Sequence, residues 1–267
     1  MAAATFVGIH GDGLPGPLLI VLSLVAAFLG GALWILIPAL LKFFRDVSEI
    51  VTTLMFNFIG ILFIGYLIDP GRGPMAQPDA AFAQSPPIAD SSFLPSIFPG
   101  TSLHAGLLLA VLLAVLVQVL VTFTPFGFRL RMIGSGLTAA RFAGVPARRM
   151  TLKLMLLSGG IAGIAGGVEV LGLSHALYLN FSPGYGYDGI TVALLAANSP
   201  LGSVFSAPFV GGLRAGANNM QQVTGLESSL VVVIQALVIL FLIWDPLRRR
   251  LQRRTRVPEP EGWGPDG

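Results

Sequence analysis

Six stretches of this chain are continuously apolar at or near membrane-spanning length: 17–37, 50–68, 104–123, 151–172, 203–221 and 228–245. No other feature limits the possible folds so strongly. The hydrocarbon core of a bilayer is about 30 Å thick, which takes about 20 apolar residues at the rise of an α-helix. In that layer the backbone N–H and C=O groups find no water, so a helix that satisfies its own hydrogen bonds is the natural crossing element. Composition agrees. Hydrophobic residues make up 54% of the 267 residues and charged residues 11%, with a mean hydropathy of +0.80. A soluble domain carries about 25% charged residues, and so few charges could not cover a water-exposed surface here. The expected fold class is all-α, a polytopic transmembrane helical bundle.

A seventh apolar piece, "GITVALLAAN" (189–198), lies between a Gly-Tyr-rich turn and Ser-Pro-Gly. It is too short to cross as a straight helix and reads as a half-span or broken helix, tolerated where protein or a polar cavity surrounds it. Orientation follows the placement of Lys and Arg. The stretch "FGFRLRMIGSGLTAARFAGVPARRM" (126–150) has five arginines and no acid, and the tail 247–267 has six arginines. Both are expected on the cytoplasmic side, as a cytoplasmic loop at 124–150 and a basic tail at 246–267. The loop 69–103 has one arginine and three aspartates, is rich in Pro and Ser, and is expected outside. Within it "SSFLPSIF" is a candidate to lie on the membrane surface. An even number of crossings must join the two cytoplasmic segments, so 189–198 counts as one of about seven crossings. Residues 1–16, without Lys or Arg, then fall outside. A seven-crossing chain with a bare external start leads to the expectation of further helices N-terminal to it.

Several function classes are excluded. There are no cysteines, hence no disulfide, thiolate metal site or cysteine nucleophile. The pI of 9.7 could suggest nucleic acid, but the basic residues flank the membrane runs and no nucleic-acid motif is present. "SPGYGYDGI" (182–190) is not a phosphate loop, since a Walker A loop needs G-x-x-x-x-G-K-[ST]. Neither H-E-x-x-H nor G-x-S-x-G occurs. The paired aspartates of an intramembrane protease are also missing. The chain reads as a non-enzyme that needs no metal and no cofactor.

Within the apolar runs a few residues stand out. Gly159, Gly163 and Gly167 form a small-xxx-small face that admits a close helix neighbour. Glu169 and Arg214 are ionisable groups in apolar runs, expected to face the bundle interior, a partner or water. They could pair with each other, or each could snorkel to the interface. Asn57 and Asn218 are candidates for a central translocation cavity; Gln118, Asn219, Gln221 and Gln235 fit interhelix hydrogen bonds. Asp188 lies near the start of the broken helix, where a carboxylate is favoured by capping and the helix dipole. Direct substrate contact is the alternative role for Asp188.

The arginine-rich loop is longer than a tether requires. A Gly-Ser-Gly turn at 134–136 precedes a short helix of small and apolar residues, Leu137 to Val145, followed by Pro146. Arg141 and the Arg148–Arg149 pair frame it. An apolar face with basic edges suits docking of a soluble partner. Anchoring to anionic lipid would account for the charge alone.

At this point a resemblance enters. "FRLRMIGSGLTAARFAGV", "SEIVTTLMFNFIGILFIGYLI" (48–68) and "LGLSHALYLNFSPGYGYDGITVALLAANSPLGSVFSAPFVGGLRAGANNMQ" together resemble the membrane permease of bacterial ATP-binding-cassette importers. The branch is the nucleoside and simple-sugar group of the ribose/branched-chain-amino-acid permease superfamily, over roughly residues 17–245. The resemblance implies a transport subunit of the bacterial cytoplasmic membrane with its C-terminus inside. It also implies cytoplasmic ATP-binding subunits, a second permease subunit and an external substrate-binding protein. In that family the matching loop forms a coupling helix seated in the ATPase, which would give Gly134, Ala139, Ala140, Arg141 and Gly144 a docking role. The alternative reading is a self-contained secondary transporter or channel, running on an ion gradient instead of ATP.

Overall fold

The computed structural model describes residues 1–224, except 12, 79, 81, 99, 102, 180 and 183, together with 233 and 237. The helices are α1 (Ala2–His10), α2 (Gly16–Arg45), α3 (Glu49–Leu67), α4 (Gly106–Phe123), α5 (Pro125–Ser135), α6 (Leu137–Phe142), α7 (Ala147–Glu169), α8 (Tyr185–Leu195) and α9 (Pro200–Thr224). Only isolated bridges, Gln84 with Tyr178 and Ser96 with His104, break the all-helical pattern among the described residues. Helices α2, α3 and α4, and α7 with the π-helical turn that continues it (Ala147–Ser174), are long and apolar enough to cross a membrane. The expected span 228–245 and the tail 246–267 lie outside the described residues. The chain divides into two units, Met1–Pro183 and Gly184–Gly267.

The first unit is built on α2 against α7. Ala27 meets Gly163 and Gly167, Gly31 meets Gly159 and Gly163, and Ile35 meets Gly159. The pairing runs in opposite directions along the two helices, so they are antiparallel. A Cβ on Gly163 would fall on the Ala27 carbonyl oxygen, and one on Gly31 on that of Gly159. The absence of side chains there lets the two backbones touch, the packing that small residues make available within a bilayer. The span read as 17–37 is longer in the structure, where α2 continues through Pro38 to Arg45. Membrane helices tolerate proline where neighbours re-satisfy the freed backbone groups, and Pro38 is fully buried.

At the end of the unit where α2 begins and α7 finishes, the chain folds over itself. Ser85 N–H donates to Leu177 O at 2.8 Å, Ile88 N–H to His175 O at 2.9 Å, Leu94 N–H to Leu171 O at 2.9 Å and Ala89 N–H to Gly8 O at 3.0 Å. Ile68, Ile88, Val170, Leu171, Leu177 and Phe181 form the core of this cap. Between residues 69 and 105 the described backbone is irregular apart from the 3₁₀ turn Asp90–Ser92. The "SSFLPSIF" segment is tied down here, with Phe93 stacked on His175 at 3.8 Å. The first residues, read as a bare external start, form α1, whose Ala4, Thr5 and Gly8 are buried.

The second unit is a helical hairpin. Helix α8 has 11 residues, about 16 Å at 1.5 Å per residue, or half a membrane. Ala197 and Asn198 take left-handed conformations and turn the chain into α9. Ser206 Oγ donates to Val192 O at 2.9 Å and ties the pair together. Arg214, Asn218, Asn219 and Gln221 all fall in the C-terminal half of α9.

Candidate functional site

The basic segment is a folded element. Thr124 accepts the Gly127 N–H through its hydroxyl at 3.2 Å, and Pro125 occupies the first turn, so α5 starts with a side-chain cap and a pre-set φ. This helix was absent from the sequence reading, although Thr-Pro was its visible start signal. A Cβ on Gly127 would fall on the Leu120 and Val121 carbonyls, so glycine permits the tight return from α4. Arg131 Nη2 donates to Thr122 O at 3.3 Å.

Gly136 is extended and α6 follows, but it stops at Phe142 and not at the expected Val145. Gly144 at φ +75° ends it. Val145 N–H donates to Ala140 O and Gly144 N–H to Arg141 O, both at 3.0 Å. These two bonds around a left-handed glycine are a Schellman stop. The outward face carries Ala139, Arg141 and Phe142, with Phe142 89% exposed. Ala140 is fully buried by the chain itself, whereas Ala139 beside it is exposed. Gly134 is exposed with open space around it. A cavity of about 530 Å³ lies beside α6, lined by Phe43, Arg141 and the run Val145–Arg149.

In the second unit Asp188 Oδ2 accepts a hydrogen bond from Arg214 Nη1 and forms an ion pair with it. The guanidinium also lies over the Tyr185 ring, 4.5 Å from its centroid. Sequence reasoning offered Glu169 as the partner of Arg214 and a capping role for Asp188. Within the second unit Asp188, in the first turn of α8, is a partner of Arg214 one helix away in the same hairpin. Both charges are largely buried, their side chains 24% and 18% exposed. At such sites paired charges are far less costly than single ones. Glu169 lies in the last turn of α7, half-buried.

Asn57 on α3 and Asn218 on α9 are exposed, as are Asn219 and Gln221. Gln118 Nε2 bonds Thr122 Oγ1 at 2.9 Å, one turn along its own helix, and not a neighbouring helix. Gln235 lies outside the described residues. His104 and His175 both lie in the cap, near enough for their charges to interact. His104 Nδ1 accepts the Gly106 N–H at 3.1 Å. Burial, and then His175, pushes His104 below the usual histidine pKa. No group of three metal-ligating side chains exists among the described residues. The arrangement presents an exposed, purely basic segment at one end of the first unit and polar groups on the helices.

Comparison with known proteins bears on these features. The chain is 36% identical to the glucose ABC transporter permease of Haloferax volcanii over 258 residues, covering 93% of this chain and 67% of that protein. It is 35% identical to the guanosine ABC transporter permease NupP of Bacillus subtilis over 241 residues, covering 90% of this chain and 69% of that protein. It is 30% identical to the nucleoside ABC transporter permease of Lactococcus lactis over 235 residues. No solved structure matches. The model of one family, the permease component of the branched-chain amino acid transport system, matches residues 1–243. With its membrane-length helices, the chain therefore belongs to that ABC transporter permease family.

Proposed function

We infer that this chain lines the translocation path of an ATP-driven importer for a nucleoside or simple sugar, and that its basic segment couples the path to a separate ATPase. The observation that carries the coupling is the folded state of residues 125–150. A lipid tether needs charge only, whereas this segment has a capped helix, a Schellman stop and an outward Phe142. The cargo classes rest on the relatives, permeases named for guanosine, nucleoside and glucose. The partners are cytoplasmic ATP-binding subunits facing the basic segment, a second permease subunit and an external substrate-binding protein. Transport proceeds by alternating access, with ATP binding in the partner drawing on the basic segment and re-orienting the helices. The largely buried Asp188–Arg214 pair joins α8 to α9 and keeps that hairpin a single moving piece. The test is uptake into proteoliposomes holding the permease, its ATPase and its binding protein, with labelled guanosine and labelled glucose as cargo. ATP-dependent uptake of one cargo is expected. Uptake driven by an ion gradient without the ATPase would overturn the reading.

A further inference from the structure

The α2–α3 turn lies at the same end of the first unit as the basic segment, and it is a built element. Asp46 takes φ +53°, a left-handed conformation that Asp tolerates better than most residues. Its N–H donates to Lys42 O at 3.1 Å. Lys42 Nζ bridges Asp46 Oδ1 and Glu49 Oε2, each at 3.0 Å. The ammonium sits in the last turn of α2 and the Glu49 carboxylate in the first turn of α3, each where the helix dipole favours its charge. An exposed ion pair contributes little stability, so this bridge matters for the shape it gives the turn.

That shape has two outward consequences. Phe43 enters the wall of the cavity that Arg141 and Val145–Arg149 otherwise line. Phe44, its ring 4.9 Å from that of Phe43, stands 69% exposed. Phe142, next in sequence to the cavity-lining Arg141, is 89% exposed. The two surfaces also share a field. Lys42 holds the Asp46 carboxyl below the usual carboxylate range, and Arg148 and Arg141 of the basic segment add to it. The turn balances its own charges, Lys42 and Arg45 against Asp46 and Glu49. The segment is purely cationic, with Arg129, Arg131, Arg141, Arg148 and Arg149. A complementary surface therefore has carboxylates toward the segment and an apolar side chain toward the phenylalanines.

We propose that the Lys42–Glu49 turn is the second half of the ATPase-docking surface. An apolar side chain of the ATP-binding subunit enters the cavity between Phe43 and Arg141, and acidic residues beside it meet Arg141, Arg148 and Arg149. This rests on the coupling role of the basic segment and extends it to a part of the chain nearly a hundred residues away.

The chain has no cysteine, so single cysteines can be introduced without background. The probes are Phe44→Cys, Phe142→Cys and, as a control in the cap, the 81% exposed Phe82→Cys. Each is reacted with a charged maleimide in proteoliposomes opened to both faces, with and without the ATP-binding subunit that co-purifies with the unaltered chain. The expected result is that the subunit protects Phe44→Cys and Phe142→Cys alike and leaves Phe82→Cys unchanged. Phe44→Ala should weaken retention of the subunit about tenfold, the scale of an interface anchor. If Phe142→Cys is protected while Phe44→Cys labels equally in both conditions, the turn is not part of the surface and the coupling role stands. If neither is protected, the coupling role itself fails. Labelling of Phe44→Cys in detergent but never in liposomes would assign the turn to lipid and overturn the proposal. Protection that appears with the permease alone as its density in the liposomes rises would assign it to a second copy, with the same consequence.

Discussion

The two ends of the Met1–Pro183 unit are built on opposite plans. At the cap, hydrogen bonds join residues far apart in sequence: Leu177 N–H reaches Ser85 Oγ across 92 positions, and Ala89 N–H reaches Gly8 O. It also has a closed apolar core, with Ile68, Val170, Leu171 and Leu177 fully buried. At the basic end the stops and caps are local, within six residues of their partners, and Phe44 and Phe142 point outward. One end finishes its own structure. The other leaves apolar and cationic surface that a partner can cover. An exposed apolar patch rimmed by polar groups is the usual mark of an interaction site.

Breaking the cap should therefore cost stability, and breaking the basic end should cost coupling. The largest effect is expected from Leu177→Ala, which empties part of a fully buried cluster and should destabilise the cap by about 2–5 kcal/mol. Hydrogen exchange at the Ile88 and Leu94 amides, whose partners lie on 171–175, would read it. Next comes Ser85→Ala. It leaves the Leu177 N–H buried without its 2.9 Å acceptor, a loss of about 1–3 kcal/mol, read by faster exchange at Leu177.

A smaller effect belongs to His104. Its pKa lies below the ordinary histidine value of 6.5 through burial and the neighbouring His175, so the folded cap holds fewer protons than the unfolded one. Its stability is complete above pH 6.5, the unfolded value, and falls as the pH drops below it. His104→Gln should flatten that acid loss, seen as cap exchange compared at pH 7.5 and pH 5.5 (roughly a unit either side of an ordinary histidine). The smallest stability effect is expected from Phe142→Ala. A side chain 89% exposed should change thermal unfolding in detergent by no more than about 0.5 kcal/mol, while ATPase retention falls. Equal destabilisation by Phe142→Ala and Leu177→Ala would erase the contrast between the ends.

The same contrast decides what the sequence could reveal. Helices α2, α3, α4 and α7 were readable because their signal is local, a run of apolar residues matched to bilayer thickness. The end of α2 was less legible: the span read as 17–37 continues through Pro38 to Arg45, because a proline is tolerated inside a membrane helix. The Schellman stop at Gly144 moved the end of α6 by three residues. The cap was not legible. Its hydrogen bonds link 8 with 89 and 85 with 177, and no periodicity encodes such pairings. The Asp188–Arg214 pair was half-visible: both residues stood out as charges in apolar runs, but only the turn at Ala197 and Asn198 sets their register. Ala139 and Ala140 looked equivalent in a short helix, yet one is exposed and the other fully buried.

That last distinction supplies the most direct test of the coupling role. Ala139→Trp adds bulk on the outward face of α6 and leaves the buried Ala140 contact intact. Insertion and thermal unfolding should match the unaltered chain. The measurement is cargo-stimulated ATP hydrolysis by the reconstituted complex. Loss of most of that stimulation, with the permease still inserted and folded, is the predicted result. Full stimulation from an Ala139→Trp complex that retains its ATPase would contradict the assignment of this end as the coupling surface.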